Sequence, residues 1–180
     1  MRREDSRQQK NQIRSEDSVT KVYIEAGNAV ASNFTQSAKE SLSTLTKESR
    51  PELDDLLVHA TQAAKNSYSP YSHFRVGAAL KLTNGEIVTG TNVENVSYGL
   101  TICAERSALV SAVSQFGPDL RIEAVAVANL NQAASPPCGA CRQVLAEFVL
   151  PGAPVIFPAA DGQRVMPFTD LLPLAFDMKL

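Results

Sequence analysis

The dipeptide Asn84-Gly85 lies between two short apolar runs and is the strongest local constraint on the fold. Asn and Gly tolerate the positive backbone φ that tight turns between antiparallel strands require. We therefore expect residues 74–82 and 87–92 to pair as a β-hairpin. The hairpin fixes one antiparallel pair in whatever sheet the rest of the chain forms.

Helical and strand-like segments alternate on both sides of this hairpin. Pro51 can begin a helix with apolar residues at helical spacing. Later helices are predicted over 103–116, with Thr101 as a possible cap, over 138–149, and after Thr169 to include Leu171, Leu172 and Phe176. Further strands are predicted over 122–128, 155–157 and 165–168. This order predicts an α/β fold, a three-layer α/β/α sandwich with a mixed central sheet, in which right-handed parallel crossovers follow the hairpin.

Charge and hydropathy divide the 180-residue chain near residue 50. Residues 1–50 contain nine basic and seven acidic side chains, a balance of +2, which leaves −4 on residues 51–180 for the overall −2. The first 18 residues are almost entirely polar, so we expect 1–50 to be a polar N-terminal extension, flexible or partly helical, and 51–180 to be the globular domain. The balance argues against nucleic-acid and membrane partners, and without a leader-like segment we expect a cytoplasmic protein.

All three cysteines fall at predicted helix starts. Cys103 precedes one helix, and Cys138 and Cys141 begin the next as Cys-Gly-Ala-Cys. The free N–H groups of a helix start favour the thiolate. Three thiolates can bind one Zn²⁺ and leave its fourth position open, as in catalytic zinc sites. The alternatives are a redox pair, or a structural zinc that borrows His59 or His73.

Charged residues adjoin these cysteines. Glu105 follows Cys103 by two residues, and a carboxylate beside a metal-bound water can move its proton. Arg106 and Arg142 also stand near the ligands and can offset the negative charge of the sulfurs.

The segments Cys103-Ala104-Glu105-Arg106 and Pro137-Cys138-Gly139-Ala140-Cys141-Arg142-Gln143 resemble the zinc-dependent cytidine deaminases. The match is closest to their short-chain, homotetrameric branch. It covers about residues 52–176 and continues in residues 68–80, 92–99 and 171–176. The resemblance implies one Zn²⁺ per chain and a homotetramer with sites at subunit boundaries.

The implied reaction is hydrolytic deamination of cytidine and deoxycytidine in pyrimidine salvage, by a zinc-bound water with Glu105 as proton shuttle. The implied substrate contacts are Phe74 on the pyrimidine face, Asn92 and Glu94 on the ribose 3′-hydroxyl, the Ala104 backbone on the base edge, Tyr98 near a subunit boundary, and Phe176, which closes a pocket on an adjacent subunit. Arg106 would compensate the thiolates, with Gln143 supporting it.

Two other functions compete with this interpretation. A blasticidin-S-type deaminase should lack Phe74 and the Asn92-x-Glu94 pair, which are present. A non-catalytic zinc module that only builds an oligomer does not need Glu105. One residue departs from the family pattern: Pro136 stands where the resemblance leads us to expect Ser.

Overall fold

A computed structural model describes residues 50–176 of the chain. The predicted extension over residues 1–50 lies outside this part, apart from its last residue. The division of the chain near residue 50 therefore stays a prediction.

Five strands and four α-helices form the described part. In chain order the elements are α1 (Arg50–Ala64), β1 (Val76–Leu82), β2 (Ile87–Thr91), a 3₁₀ turn (Tyr98–Leu100), α2 (Ala104–Phe116), β3 (Ile122–Asn129), α3 (Gly139–Leu145), β4 (Pro154–Ala159), β5 (Gly162–Pro167) and α4 (Phe168–Leu171). The strands make one sheet in the order β2-β1-β3-β4-β5. None of these helices is long and apolar enough to cross a membrane.

The predicted hairpin is present. Strands β1 and β2 pair antiparallel, with Lys81 opposite Ile87. Gly85 has a φ of +89° and donates its N–H to the carbonyl of Leu82. The Asn84 side chain accepts from the N–H of Glu86, which completes the turn.

The sheet is mixed, as expected. Strand β3 pairs antiparallel with β1, β4 pairs parallel with β3, and β5 pairs antiparallel with β4. The parallel pair is the one that α3 connects. The connection from β2 through α2 crosses β1, so β3 lies on the other side of β1 and runs in the same direction as β2 without touching it.

Helices cover both faces of this sheet. On one face α1 packs Leu53, Leu56 and Ala60 on a surface made mostly of alanines from β1 and β3. The residues from α2, α3 and α4 pack with large aliphatic side chains of the sheet on the other face. The three-layer α/β/α prediction is confirmed.

Some predicted element ends were wrong. Helix α2 begins after Cys103, and Thr101 does not cap it, since its hydroxyl instead accepts from the N–H of Asn95. Helix α3 stops at Leu145 because the chain bends so that Val149 can bridge to Ile122 at the start of β3. Helix α4 ends at Leu171, before Leu172 and Phe176, and Thr169 lies within it.

Two glycines let the helices approach the sheet closely. A Cβ on Gly77 would lie 2.0 Å from the carbonyl oxygen of Ala60 in α1, and one on Gly90 would lie 2.2 Å from the amide nitrogen of Ala108 in α2. Backbone atoms cannot give way as a flexible side chain can, so these positions accept glycine only.

We predict that Gly90→Ala lowers the free energy of unfolding by about 3 kcal/mol, because the added methyl group pushes α2 away from β2. Chemical denaturation monitored by circular dichroism measures the change. Gly99→Ala is the matched control, because a Cβ there meets nothing within 4 Å. Equal stability of the two variants would contradict the close packing of α2.

Candidate metal centre and active site

The direction of three strands places the two cysteine-bearing helix starts together. Because β2 and β3 are both antiparallel to β1, their carboxyl ends lie at the same edge of the sheet, beside the amino end of β1. The chain enters α2 after leaving β2 and enters α3 after leaving β3. Cys103 and Cys138 occupy the N-cap positions of these two helices in extended conformation.

The three sulfurs form a compact cluster. The Sγ atom of Cys138 lies 3.9 Å from that of Cys103 and 3.4 Å from that of Cys141, and all three lie within 4.8 Å of one another. None is in a disulfide. Tetrahedral Zn²⁺ with Zn–S bonds of about 2.3 Å separates its sulfurs by about 3.8 Å. The cluster therefore has the chemistry and the spacing of a zinc site with three protein ligands.

Charge in this cluster is unbalanced without a cation. Hydrogen bonds from the Cys141 thiol and from Arg106 lower the pKa of Cys103 to about 5, against the effect of burial. The pKa of Cys141 moves the other way, because its thiol donates to Cys103 and is buried. The thiolate of Cys103 thus opposes ionisation of the Cys141 thiol. A metal ion among the sulfurs is what allows all three to be ionised together.

Arg106 supplies the nearest positive charge. Its Nη2 lies 3.6 Å from Cys103 Sγ and donates to the carbonyl of Thr101 at 3.2 Å. Its Nε is buried and has no partner among the described residues. Arg106 therefore lies where it can donate to the sulfur of Cys103, and its compensation of the thiolates stays a prediction.

Glu105 is buried in the first turn of α2, with 4% of its surface exposed. Burial raises the pKa of its carboxyl group, because the charged form loses water, and the nearby Cys103 adds to the effect. The carboxylate is not part of the three-sulfur cluster. A carboxyl group beside a metal, with a raised pKa and no ligand role, suits proton transfer.

A cleft of about 300 Å³ opens beside the sulfurs. Of the predicted site residues it brings together Phe74, Asn92, Cys103, Ala104, Glu105 and Cys138. Ser135 and Pro136 also line it, so the proline at the position of the expected serine faces the cleft.

Asn92 and Glu94 are buried and bonded to the segment that precedes β1. Asn92 Oδ1 accepts from Ser67 Oγ at 2.6 Å and from the N–H of Val76 at 2.9 Å. Glu94 accepts from the N–H groups of Tyr71 and Ser72 and from the Ser72 hydroxyl. The Ser72 hydroxyl bond, followed by the backbone donors, lowers the pKa of Glu94, so this carboxylate stays ionised.

Tyr98 and Phe176 lie outside the cleft of their own chain. Their exposed fractions are 77% and 73%. Gln143 binds the backbone of Phe176 on both sides, donating to its carbonyl at 2.9 Å and accepting from its N–H at 3.1 Å. Gln143 therefore holds the segment at Phe176, which differs from the predicted support of Arg106.

Arg142 fastens loops near the metal site. Its Nε donates to the carbonyl of Pro137 at 2.7 Å and its Nη1 to the carbonyl of Leu171 at 2.8 Å. It thereby fixes the residue before Cys138 and the end of α4.

The alternative of a structural zinc held by histidine finds no support in residues 50–176, where the cluster that could hold a metal ion contains cysteines alone.

Sequence reasoning missed Ser67 and Ser72. Each serine donates to one of the two predicted ribose-binding residues: Ser67 to Asn92, and Ser72 to Glu94. No local pattern marks them, because their partners lie more than 20 residues away in the chain. Their position in a turn-rich segment was the only available signal.

Comparison with known families decides the identity of this architecture. The family description "Cytidine and deoxycytidylate deaminase zinc-binding region" matches residues 51–156, which include all three cysteines and Glu105. The chain belongs to this deaminase family. The predicted family and its zinc site are confirmed, whereas the roles given to individual side chains stay predictions.

Curated relatives and solved structures agree with this family. A cytidine deaminase from Halalkalibacterium halodurans is 44% identical over 122 residues, 67% of this chain and 91% of that protein. The crystal structure of a cytidine deaminase from Burkholderia pseudomallei superposes with a TM-score of 0.61 at 42% identity, covering 68% of this chain and 98% of that one. The cytidine deaminase structure from Mycobacterium tuberculosis gives a TM-score of 0.60 at 42% identity, over 69% and 97%.

We predict that the purified protein contains about one zinc per chain and that Cys141→Ser reduces this to less than about a tenth, because two thiolates bind the metal far more weakly than three. Elemental analysis measures the metal. A thiol reagent should find no reactive cysteine in the loaded protein and three after chelation. Ser114→Ala, at an exposed position of α2, is the control. Full zinc content in Cys141→Ser would exclude this ligand set.

Proposed function

We propose that this protein catalyses the hydrolytic deamination of cytidine and deoxycytidine to uridine and deoxyuridine, with release of ammonia. The observation that carries the proposal is the buried Glu105 carboxyl group beside a three-thiol zinc site at one end of a largely apolar cleft. We further propose that it acts in pyrimidine salvage in the cytoplasm, where thiolate ligands stay reduced.

Zinc bound by the three cysteines would lower the pKa of a water molecule so that hydroxide forms near neutral pH. Glu105 accepts the proton of that water and donates it to N3 of the base, which makes C4 electrophilic. After attack at C4, the same carboxyl group would carry the proton of the new C4 hydroxyl group to the amino group as the C4–N bond breaks, so that ammonia leaves and a C4 carbonyl group forms. Its raised pKa suits both directions of transfer.

The size and the lining of the cleft suit a planar base. Its volume, about 300 Å³, is at the lower end of the range for small-molecule sites. Phe74, Val76 and Val127 offer apolar walls. We assign the Phe74 ring to stacking on the pyrimidine, a contact that any base face permits.

Asn92 and Glu94 have one bonding position each to spare for a ribose hydroxyl. The Asn92 oxygen already accepts two hydrogen bonds, but Nδ2 donates only one, to the carbonyl of Phe74 at 2.8 Å. Glu94 accepts three bonds and keeps room for a fourth. In the proposed complex a 3′-hydroxyl would donate to Glu94, which does not itself line the cleft, and accept from Asn92, which does.

A nucleotide substrate fits this arrangement less well. A phosphate near the ionised Glu94 would bring a second negative charge to a site whose donors are already committed. This favours nucleosides over deoxycytidylate, the nucleotide that the family description also names. The non-catalytic module gives no reason for a buried Glu105.

We propose that copies of the chain assemble into a homotetramer that completes the site. The segment between β2 and α2, which ends at Cys103, exposes large apolar side chains, and so does the chain after α4. They are Val93, Val96, Tyr98, Leu100 and Ile102 in the first segment, and Leu174 and Phe176 in the second. Such a group beside a substrate cleft is typical of an interface. A second copy would bring its Phe176 to the cleft and cover Tyr98.

We predict that Glu105→Gln keeps about one zinc per chain but lowers kcat for cytidine by about 10²–10⁴-fold, because the amide cannot carry a proton. The fall in absorbance as cytidine becomes uridine measures turnover. Glu86→Gln, at the exposed hairpin tip, is the matched control. Wild-type turnover in Glu105→Gln with zinc bound would refute the proton-shuttle role.

We predict that Leu100→Asp converts the assembly to smaller species and abolishes most cytidine turnover, because a charge replaces an apolar contact between copies. Analytical ultracentrifugation and activity are measured on the same samples. Val58→Asp is the matched control, since Val58 is equally exposed at 65% but lies on α1, across the sheet. A fully active monomer would show that the site needs no neighbour.

A further inference from the structure

Side chains, rather than a strand ladder, hold the backbone around Phe74. Strand β1 begins only at Val76, so the two peptide groups that flank Phe74 lie before it. The N–H of Phe74 donates to Ser72 Oγ at 3.0 Å. The carbonyl of Phe74 accepts from Asn92 Nδ2 at 2.8 Å. Each peptide group thus has one of its two polar atoms held.

Asn131 holds the other polar atom of each peptide group. Its Oδ1 accepts from the N–H of Arg75 at 2.8 Å, and its Nδ2 donates to the carbonyl of His73 at 2.9 Å. A carboxamide is planar and carries one donor side and one acceptor side, as a peptide group does. The Asn131 side chain therefore pairs with residues 73–75 as the backbone of a neighbouring strand would.

The backbone itself cannot extend the ladder this far. Pairing of β3 with β1 continues one residue beyond Asn129, where the N–H of Leu130 donates to the carbonyl of Arg75 at 3.0 Å. Gln132 then takes a φ of +54°, and His73 takes a φ of +56° on the facing segment. Both segments turn at this point, and Asn131 bridges them.

Asn131 is in turn fixed by Asn129 at the end of β3. The Oδ1 of Asn129 accepts from the N–H groups of Asn131, at 2.8 Å, and Ala133, at 3.3 Å. Its Nδ2 donates to the carbonyl of Ala133 and to the hydroxyl of Ser135. Ser135 and Phe74 both line the cleft. The two asparagines therefore join the segment that carries Phe74 to the loop that carries Ser135.

We propose that Asn131 is a positioning residue that sets the orientation of Phe74, and with it the affinity of the cleft for the pyrimidine ring. The proposal rests on the proposed function, because Phe74 matters here as a contact of the base. Asn131 is exposed and touches no reacting atom, so it acts only through the backbone of residues 73–75.

The test is the kinetics of Asn131→Ala with cytidine. We expect KM to rise about 5- to 20-fold and kcat to change less than about twofold, because stacking contributes equally to the ground state and the transition state. Asn131→Asp keeps the acceptor for Arg75 and loses the donor for His73, so its KM should lie between those of the wild-type protein and Asn131→Ala. Asn84→Ala is the matched control: it removes another exposed asparagine bond to backbone, at the far end of β1.

A double-mutant cycle separates this role from a general structural one. In a Phe74→Ala background, Asn131→Ala should leave KM unchanged, since the ring that it positions is gone. An Asn131→Ala change that raises KM by the same factor in both backgrounds overturns the proposal. So does a wild-type KM in Asn131→Ala with Phe74 intact.

Hydrogen exchange tests the same role without turnover. The N–H of Phe74 is bonded to Ser72 and not to Asn131. In Asn131→Ala it should nevertheless exchange about tenfold faster or more, because the whole segment loosens. Unchanged exchange there overturns the proposal. If the Phe74 N–H exchanges faster in Asn131→Ala as expected, but the wild-type protein does not deaminate cytidine, the proposed function fails while the positioning role stands.

Discussion

Three sulfurs within 4.8 Å of one another cannot all be ionised unless a cation lies among them. Much of the site responds to that constraint. Two helix starts and Arg106 supply positive charge to the cluster, and hydrogen bonds from the Cys141 thiol and Arg106 lower the pKa of Cys103 to about 5. A zinc ion would supply the remaining positive charge that three thiolates need. Metal binding should therefore contribute directly to the folding stability of the two helix starts that carry the cysteines.

The sheet makes this cluster possible through strand direction and close packing. The carboxyl ends of β2 and β3 lie at one edge of the sheet because both strands run antiparallel to β1 and so in the same direction. Gly90 then lets α2 lie against β2 at backbone contact distance. A helix displaced by a methyl group would move Cys103 and Glu105 away from α3. The shared direction of β2 and β3 and the close packing of α2 are therefore both required to bring the three cysteines together.

Local sequence signals predicted the elements better than their ends and partners. Asn84-Gly85 and the cysteine spacing act within a few residues, so the hairpin and both helix starts were readable. The end of α3 at Leu145 and the contact of Gln143 with Phe176 depend on residues distant in the chain. Hydropathy and turn chemistry carry no information about such pairs. The metal ligands were therefore predictable, and the hydrogen-bond partners of the cleft were not.

The fold divides catalysis and selection between two kinds of structure. Helix starts hold the metal ligands and Glu105, whose positions must stay fixed while protons move. Turns before β1 and after β3 hold the proposed substrate contacts through side-chain bonds to backbone. Glu94 belongs to the second kind: its donors keep it charged although it is buried. In the proposed function, a charge fixed in this way would accept a hydroxyl and disfavour a phosphate, so the bonds that fold the segment would also choose the substrate.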